Sequence, residues 1–123
     1  MANEITVSGS ISAFKTGSMS TSVGRALIAR QFTMTGTTFI EGLMSVLTSV
    51  SAVPLGGVTA PHWSWFYNTD ATNYINLRNG SAGALVVKLK PGEFALFPWE
   101  DSAVPYAIAN VATCLMEYLI FQL

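Results

Sequence analysis

Charge is what this sequence lacks most. Only 11% of its 123 residues are Asp, Glu, Lys or Arg, against about 25% in a typical soluble domain. The formal net charge is −1. No basic run and no interleaving of Arg or Lys with aromatics occurs, which argues against electrostatic binding of nucleic acid. A single cysteine, Cys114, excludes an internal disulfide, and His62 is the only histidine. One of each cannot build a zinc site without several carboxylates. There is no Gly-x-x-x-x-Gly-Lys-Ser/Thr phosphate loop and no Gly-x-Ser-x-Gly nucleophile elbow. The opening residues show no basic segment followed by an apolar run, so no signal peptide is expected. The most apolar stretch, residues 111–123, contains Glu117 and falls short of the roughly 20 apolar residues a spanning helix needs. No membrane anchor is expected, and synthesis in the cytosol is.

What fills the space instead is apolar and hydroxylic. Half the residues are apolar, enough for a core in one domain of this length without disulfides. Ser and Thr contribute 12 residues each. Low charge with many hydroxyls fits a surface that rests against other protein, because interface cores are depleted of Lys, Glu and Asp.

The dominant period is two, which marks strands. Ile5, Val7, Ile11 and Ala13 alternate with Thr6, Ser8, Ser10 and Ser12, with Gly9 as a candidate bulge. Thr16-Gly17-Ser18 reads as a turn. Residues 20–33 read as a second strand region, with Ala26, Ile28, Phe32 and Met34 on one parity and Arg30 interrupting it. Residues 38–53 fit either a helix face or a strand. Their Val, Thr and Ser content favours strand. Residues 62–68 form an aromatic strand, followed by a turn through Asn68, Asp70 and Thr72. Ile75 and Leu77 face inward on the next strand. Asn79-Gly80 and Pro91-Gly92 are reversal signals, the latter with the order a type II turn wants. Leu85, Val87 and Leu89 share one face. Residues 94–99, 106–109 and 113–122 complete the series. The last is apolar on both faces except at Glu117, which places it mid-sheet or in a subunit contact. The expected fold is all-β: an antiparallel β-sandwich of about eight or nine short strands, with the jelly roll as one form of it. Residues 1–123 are expected to form a single domain, in which the strand at about 4–14 either pairs at home or engages a neighbouring subunit.

The chemistry-bearing residues favour bland roles. Cys114, among Leu115, Met116 and Tyr118, reads as a small apolar core residue rather than a reactive thiol, which wants a cationic or helix-terminal setting. His62, beside Trp63, reads as a packed or surface residue. Asn68, Asp70, Asn73 and Asn76 offer oxygens, but calcium takes about six to eight, with several carboxylates. Turn capping is the favoured role. No catalytic residue, cofactor or metal ligand is expected. Trp63, Trp65 and Tyr67 share one parity and read as core or interface anchors, since Trp and Tyr are enriched at subunit contacts. A sugar-stacking row is the alternative. Trp99 is a second candidate anchor on a loop with Glu100 and Asp101. The candidate interface residues are therefore Ile5, Val7, Ile11 and Phe14 on the first strand, Trp63, Trp65 and Tyr67, and Trp99, Glu100 and Asp101.

A pattern of reversals runs through Leu55-Gly56-Gly57-Val58, Asn68-Thr69-Asp70-Ala71-Thr72-Asn73-Tyr74, Leu89-Lys90-Pro91-Gly92-Glu93 and Leu115-Met116-Glu117-Tyr118-Leu119-Ile120. It resembles small structural proteins encoded by tailed bacteriophages and related prophages, over roughly residues 36–123. The resemblance implies a virion component rather than an enzyme, and supplies no catalytic residues to carry over. The leading expectation is a homo-oligomeric capsid decoration (cement) protein bound to the major capsid protein or another virion protein. A trimer would match capsid lattice symmetry. It would be located in the virion, after assembly in the host bacterial cytoplasm. The alternatives are a neck, tail or fibre-associated adaptor, and a carbohydrate-binding β-sandwich for host attachment.

Overall fold

A computed structural model describes residues 4–17, 22–34, 36–100 and 102–122. They form ten strands and, among the described residues, no helix. The chain divides into two compact units, Met1–Thr35 and Gly36–Leu123.

The first unit is a two-stranded antiparallel arm of β1 (Ile5–Ala13) and β2 (Val23–Phe32). Its turn includes Thr16 and Gly17, while Ser18 and Ser20 lie outside the described residues. Register runs from Ile5 opposite Phe32 to Ala13 opposite Val23, with a shift between Val7 and Gly9. There Ser8 faces two residues of β2, Ile28 and Ala29, which is a β-bulge. Ala29 has a φ of 50°, a left-handed conformation that costs an L-residue roughly 1–2 kcal/mol. The bulge overturns the single parity expected for Ala26, Ile28, Phe32 and Met34. Ala26 stands opposite Ser10, on the hydroxyl side, whereas Phe32 stands opposite Ile5. The extra residue resets the alternation, so Leu27 and Phe32 share a face.

The second unit holds β3 (Phe39–Val46), β4 (Ser51–Ala52), β5 (Pro61–Asn68), β6 (Ile75–Asn79), β7 (Leu85–Leu89), β8 (Phe94–Pro98), β9 (Pro105–Ala109) and β10 (Cys114–Gln122). The pairing is nested: β3 with β10, β4 with β9, β5 with β8 and β6 with β7, all antiparallel. β10 also pairs with β5, and β9 with β6. The result is two four-stranded sheets, ordered β3-β10-β5-β8 and β4-β9-β6-β7. Four nested antiparallel pairs folded over into two sheets make the jelly-roll order.

Alternation puts one face of each sheet in the core. Met44, Val46, Phe66, Met116 and Ile120 come from the first sheet, and Ile75, Leu77, Leu89, Ala107 and Ala109 from the second. Val53, Val58 and Trp99 join them from connecting segments. Each large apolar side chain buried this way contributes about 1.5–3 kcal/mol. Residues 38–53 resolve into β3, a turn and β4. Met44 and Val46 point inward while Leu43 and Ser45 point out, a period no helix face could satisfy. β10 lies between two neighbours, in keeping with its apolar character on both faces. At Pro91-Gly92, the Glu93 amide donates to Lys90 O at 3.0 Å and Gly92 has φ 79°. That is the positive φ a type II turn requires at its third residue.

Candidate functional site

Because Met116, Tyr118 and Ile120 of β10 turn inward, Leu115, Glu117 and Leu119 turn out. The same rule carries Phe39, Glu41 and Leu43 of β3 to the outer face, together with Trp63, Trp65 and Tyr67 of β5 and Phe94 and Leu96 of β8. This face is unusually apolar for one turned to solvent. Leu43 is 65% exposed, Phe94 58%, Phe39 52% and Leu115 49%. Trp65 stacks on Phe94 with ring centroids 4.9 Å apart. Its indole N–H donates to Glu117 Oε2 at 3.1 Å.

Two carboxylates sit within this apolar field. Glu117 stands between Leu43 and Tyr67, and Leu119 between Glu41 and Trp65. Glu41 and Glu117 are thus diagonal neighbours, a relation that spans roughly 7–8 Å. No Lys or Arg occupies an outward position on any of the four strands. An open basin of about 570 Å³ is lined by Glu41, Leu43, Trp65, Glu117 and Leu119.

The arm has two unlike faces. Register gathers Ile5, Val7, Ile11 and Ala13 of β1 with Val23, Arg25, Leu27, Arg30 and Phe32 of β2 on one side. The other side carries Thr6, Ser8, Ser10 and Ser12 with Gly24, Ala26 and Gln31. Ile5 and Val7 are buried, but further along the apolar side Ile11 is 74% exposed, with Val23 and Leu27 about half exposed. Phe14, just beyond β1, is exposed as well. A two-stranded ribbon is only marginally stable in water by itself, and leaving its apolar half uncovered forfeits the main source of stability.

The loop residues behave differently. Trp99, expected as an anchor for a neighbour, is instead buried at 3% exposure. Its ring contacts Phe66 edge-on at 5.8 Å and Phe97 at 5.6 Å. The backbone bond from Trp99 N to His62 O at 2.8 Å turns the indole into the sandwich. Glu100 accepts from the Ser102 hydroxyl and amide. Those bonds, the hydroxyl's first, hold its carboxyl below the ordinary value. Asp101 lies outside the described residues. His62 packs edge-on against Trp63.

The Asn/Asp cluster is a set of caps. Asp70 Oδ2 accepts the amides of Asn73 at 2.6 Å and Thr72 at 3.0 Å. The Asn73 bond foremost, then that of Thr72, lowers the Asp70 carboxyl below its usual range. Asn68 is fully buried. Its Nδ2 donates to Asn73 O and Leu89 O, and its Oδ1 accepts the Asp70 amide. One side chain thereby ties β5 to the turn after it and to β7. Among the described residues, no group of three or more His, Cys, Asp or Glu is placed to hold a metal. Cys114 is buried, and burial first, then the charge of Asp70, pushes its thiol above the ordinary value.

The sequence marked the aromatic row of β5, and residues 113–122 as mid-sheet or in a subunit contact, but did not bring Leu115 and Glu117 to that row and missed Glu41, Leu43 and Phe94. The signal was the second parity of residues 113–122 and 39–45, which alternates as cleanly as the first. Among the described residues no helix is long and apolar enough to cross a membrane. No family model matches the chain, and neither a curated protein nor a solved structure matches it.

Proposed function

We propose that this chain is a non-enzymatic structural component of a tailed-phage virion, a capsid decoration protein that stabilises the shell by binding the major capsid protein and its own sister copies. The observation that carries the reading is the amphipathic ribbon with its bare apolar side: Ile11, Val23 and Leu27 exposed together on one side of a pair of strands too thin to have a core. Such an element gains its stability by being covered. The outer face of the β3-β10-β5-β8 sheet supports the same conclusion. Apolar fields of this extent on a protein surface mark interaction sites. Each Å² of apolar area covered contributes about 25 cal/mol, and many equivalent contacts on one particle add avidity. The reversal pattern that resembles phage structural proteins supplies the setting.

The test is copy number. Purified particles containing this chain should show it on a stained gel at a ratio to the major shell protein near one to one or one to a small integer. A few copies per particle would instead indicate a neck, tail or fibre-associated adaptor. Absence from purified particles would overturn the virion reading.

Carbohydrate binding is favoured by one observation, the half-buried Trp65 beside the Glu117 carboxylate. That pairing offers an aromatic platform and an acceptor for hydroxyls. Tryptophan fluorescence that shifts with host glycans, and no longer does so in Trp65→Ala, would select this reading over decoration.

A further inference from the structure

The apolar side of the β1-β2 arm and the outer sheet face each present half of a contact. On the arm, Arg25 sits between Val23 and Leu27 and opposite Ile11, all on the apolar side. Its guanidinium donates to the adjacent Gly24 O at 2.8 Å, which uses one of several donors on a planar fork. On the sheet, Glu41 and Glu117 stand together among Leu43, Leu119 and Trp65, with no cation on that face. Formal charge divides the same way. Residues 1–35 carry Lys15, Arg25 and Arg30 against Glu4, whereas residues 36–123 carry six carboxylates against Arg78, Lys88 and Lys90.

We propose that the arm of one copy lies across the β3-β10-β5-β8 outer face of a second copy. Ile11, Val23 and Leu27 cover the apolar field, and Arg25 pairs with Glu41 and Glu117. The proposal rests on reading the chain as a self-assembling structural protein and names the surface through which it assembles. Arginine suits the position because its fork meets carboxylates bidentately. In an otherwise apolar contact, the charge fixes orientation and register more than it adds affinity. Arm and sheet face are different surfaces, so the contact is heterologous. Repeated head to tail it makes a ring where the rotation closes and an open filament where it does not, and exchanged reciprocally it makes a dimer.

Sedimentation velocity on the full chain tests this with four proteins: wild type, Arg25→Glu, and Arg25→Glu combined with either Glu41→Arg or Glu117→Arg. Wild type is expected to self-associate. Arg25→Glu should weaken association by about tenfold or more, and at least one combined variant should recover it. Leu27→Lys, on the same face, should act like Arg25→Glu and serves if that variant loses its strand spectrum. Wild type that stays monomeric at its highest soluble concentration overturns the arm contact, while the virion reading still stands or falls on particle stoichiometry. Self-association untouched by Arg25→Glu and Leu27→Lys also overturns it and assigns assembly to another surface. Association of wild type only when a glycan or an unrelated protein is added would contradict a second copy as the occupant.

Discussion

Asn68 shows how much one polar side chain can hold. Fully buried, it satisfies two carbonyls and one amide, from the turn that follows it and from β7. Asn68→Ala strands those buried groups, at a cost of roughly 1–3 kcal/mol. A lower urea midpoint at unchanged denaturant slope would report it. Its neighbour Asp70 makes a prediction about pH. The amides of Asn73 and Thr72 lower the folded-state carboxyl, so its stabilisation is full above the unfolded value of about 3.9. It fades as pH falls through the lowered folded value. The urea midpoints of wild type and Asp70→Ala should differ at neutral pH and converge on acidification. The caps were legible in the sequence because Asn, Asp and Thr bond their own backbone locally. The burial of Trp99 was not. Pro98 and Glu100 flank it like loop residues, and only the bond of its amide to His62 O, distant in sequence, turns the ring inward.

Elements divide the same way between local and distant causes. The strands of the second unit could be read from alternation and reversals, since both are short-range. The choice of strand for residues 38–53 depended on Val, Thr and Ser content, and the pairing of β3 with β10 is consistent with it. What alternation cannot show is where it slips. The slip falls beside Gly9, where a bulge was expected, but the extra residue is on β2, at Ile28 and Ala29, which carries no mark of it because the residue in the left-handed conformation is alanine rather than glycine. That substitution is itself a prediction. Ala29→Gly keeps the bulge and relieves the steric cost, offset in part by glycine's greater entropy in the unfolded chain. Amide hydrogens of β1 and β2 should exchange more slowly in Ala29→Gly than in wild type.

For the whole molecule, scarcity of charge and abundance of apolar surface have one explanation. The apolar residues fill a jelly-roll core and also furnish two surfaces, one side of the β1-β2 arm and the outer sheet face, that gain by being covered. The core should follow ordinary packing rules: Phe66→Ala, at the centre of the ring cluster with Phe97 and Trp99, is expected to cost about 3–5 kcal/mol in thermal or urea unfolding. Fold class was readable because a whole chain of period-two segments admits few architectures. The outer-face site was only half readable. Trp63, Trp65 and Tyr67 announce themselves by size, whereas Glu41 and Glu117 acquire meaning only when β3 and β10 are laid in register.

Hydroxyl-radical footprinting of the assembled protein tests the central claim most directly. Leu43, Phe94, Ile11 and Leu27 should be strongly protected relative to Val111, a loop residue 75% exposed that belongs to neither surface. Labelling of those four residues as heavy as that of Val111 would contradict the account.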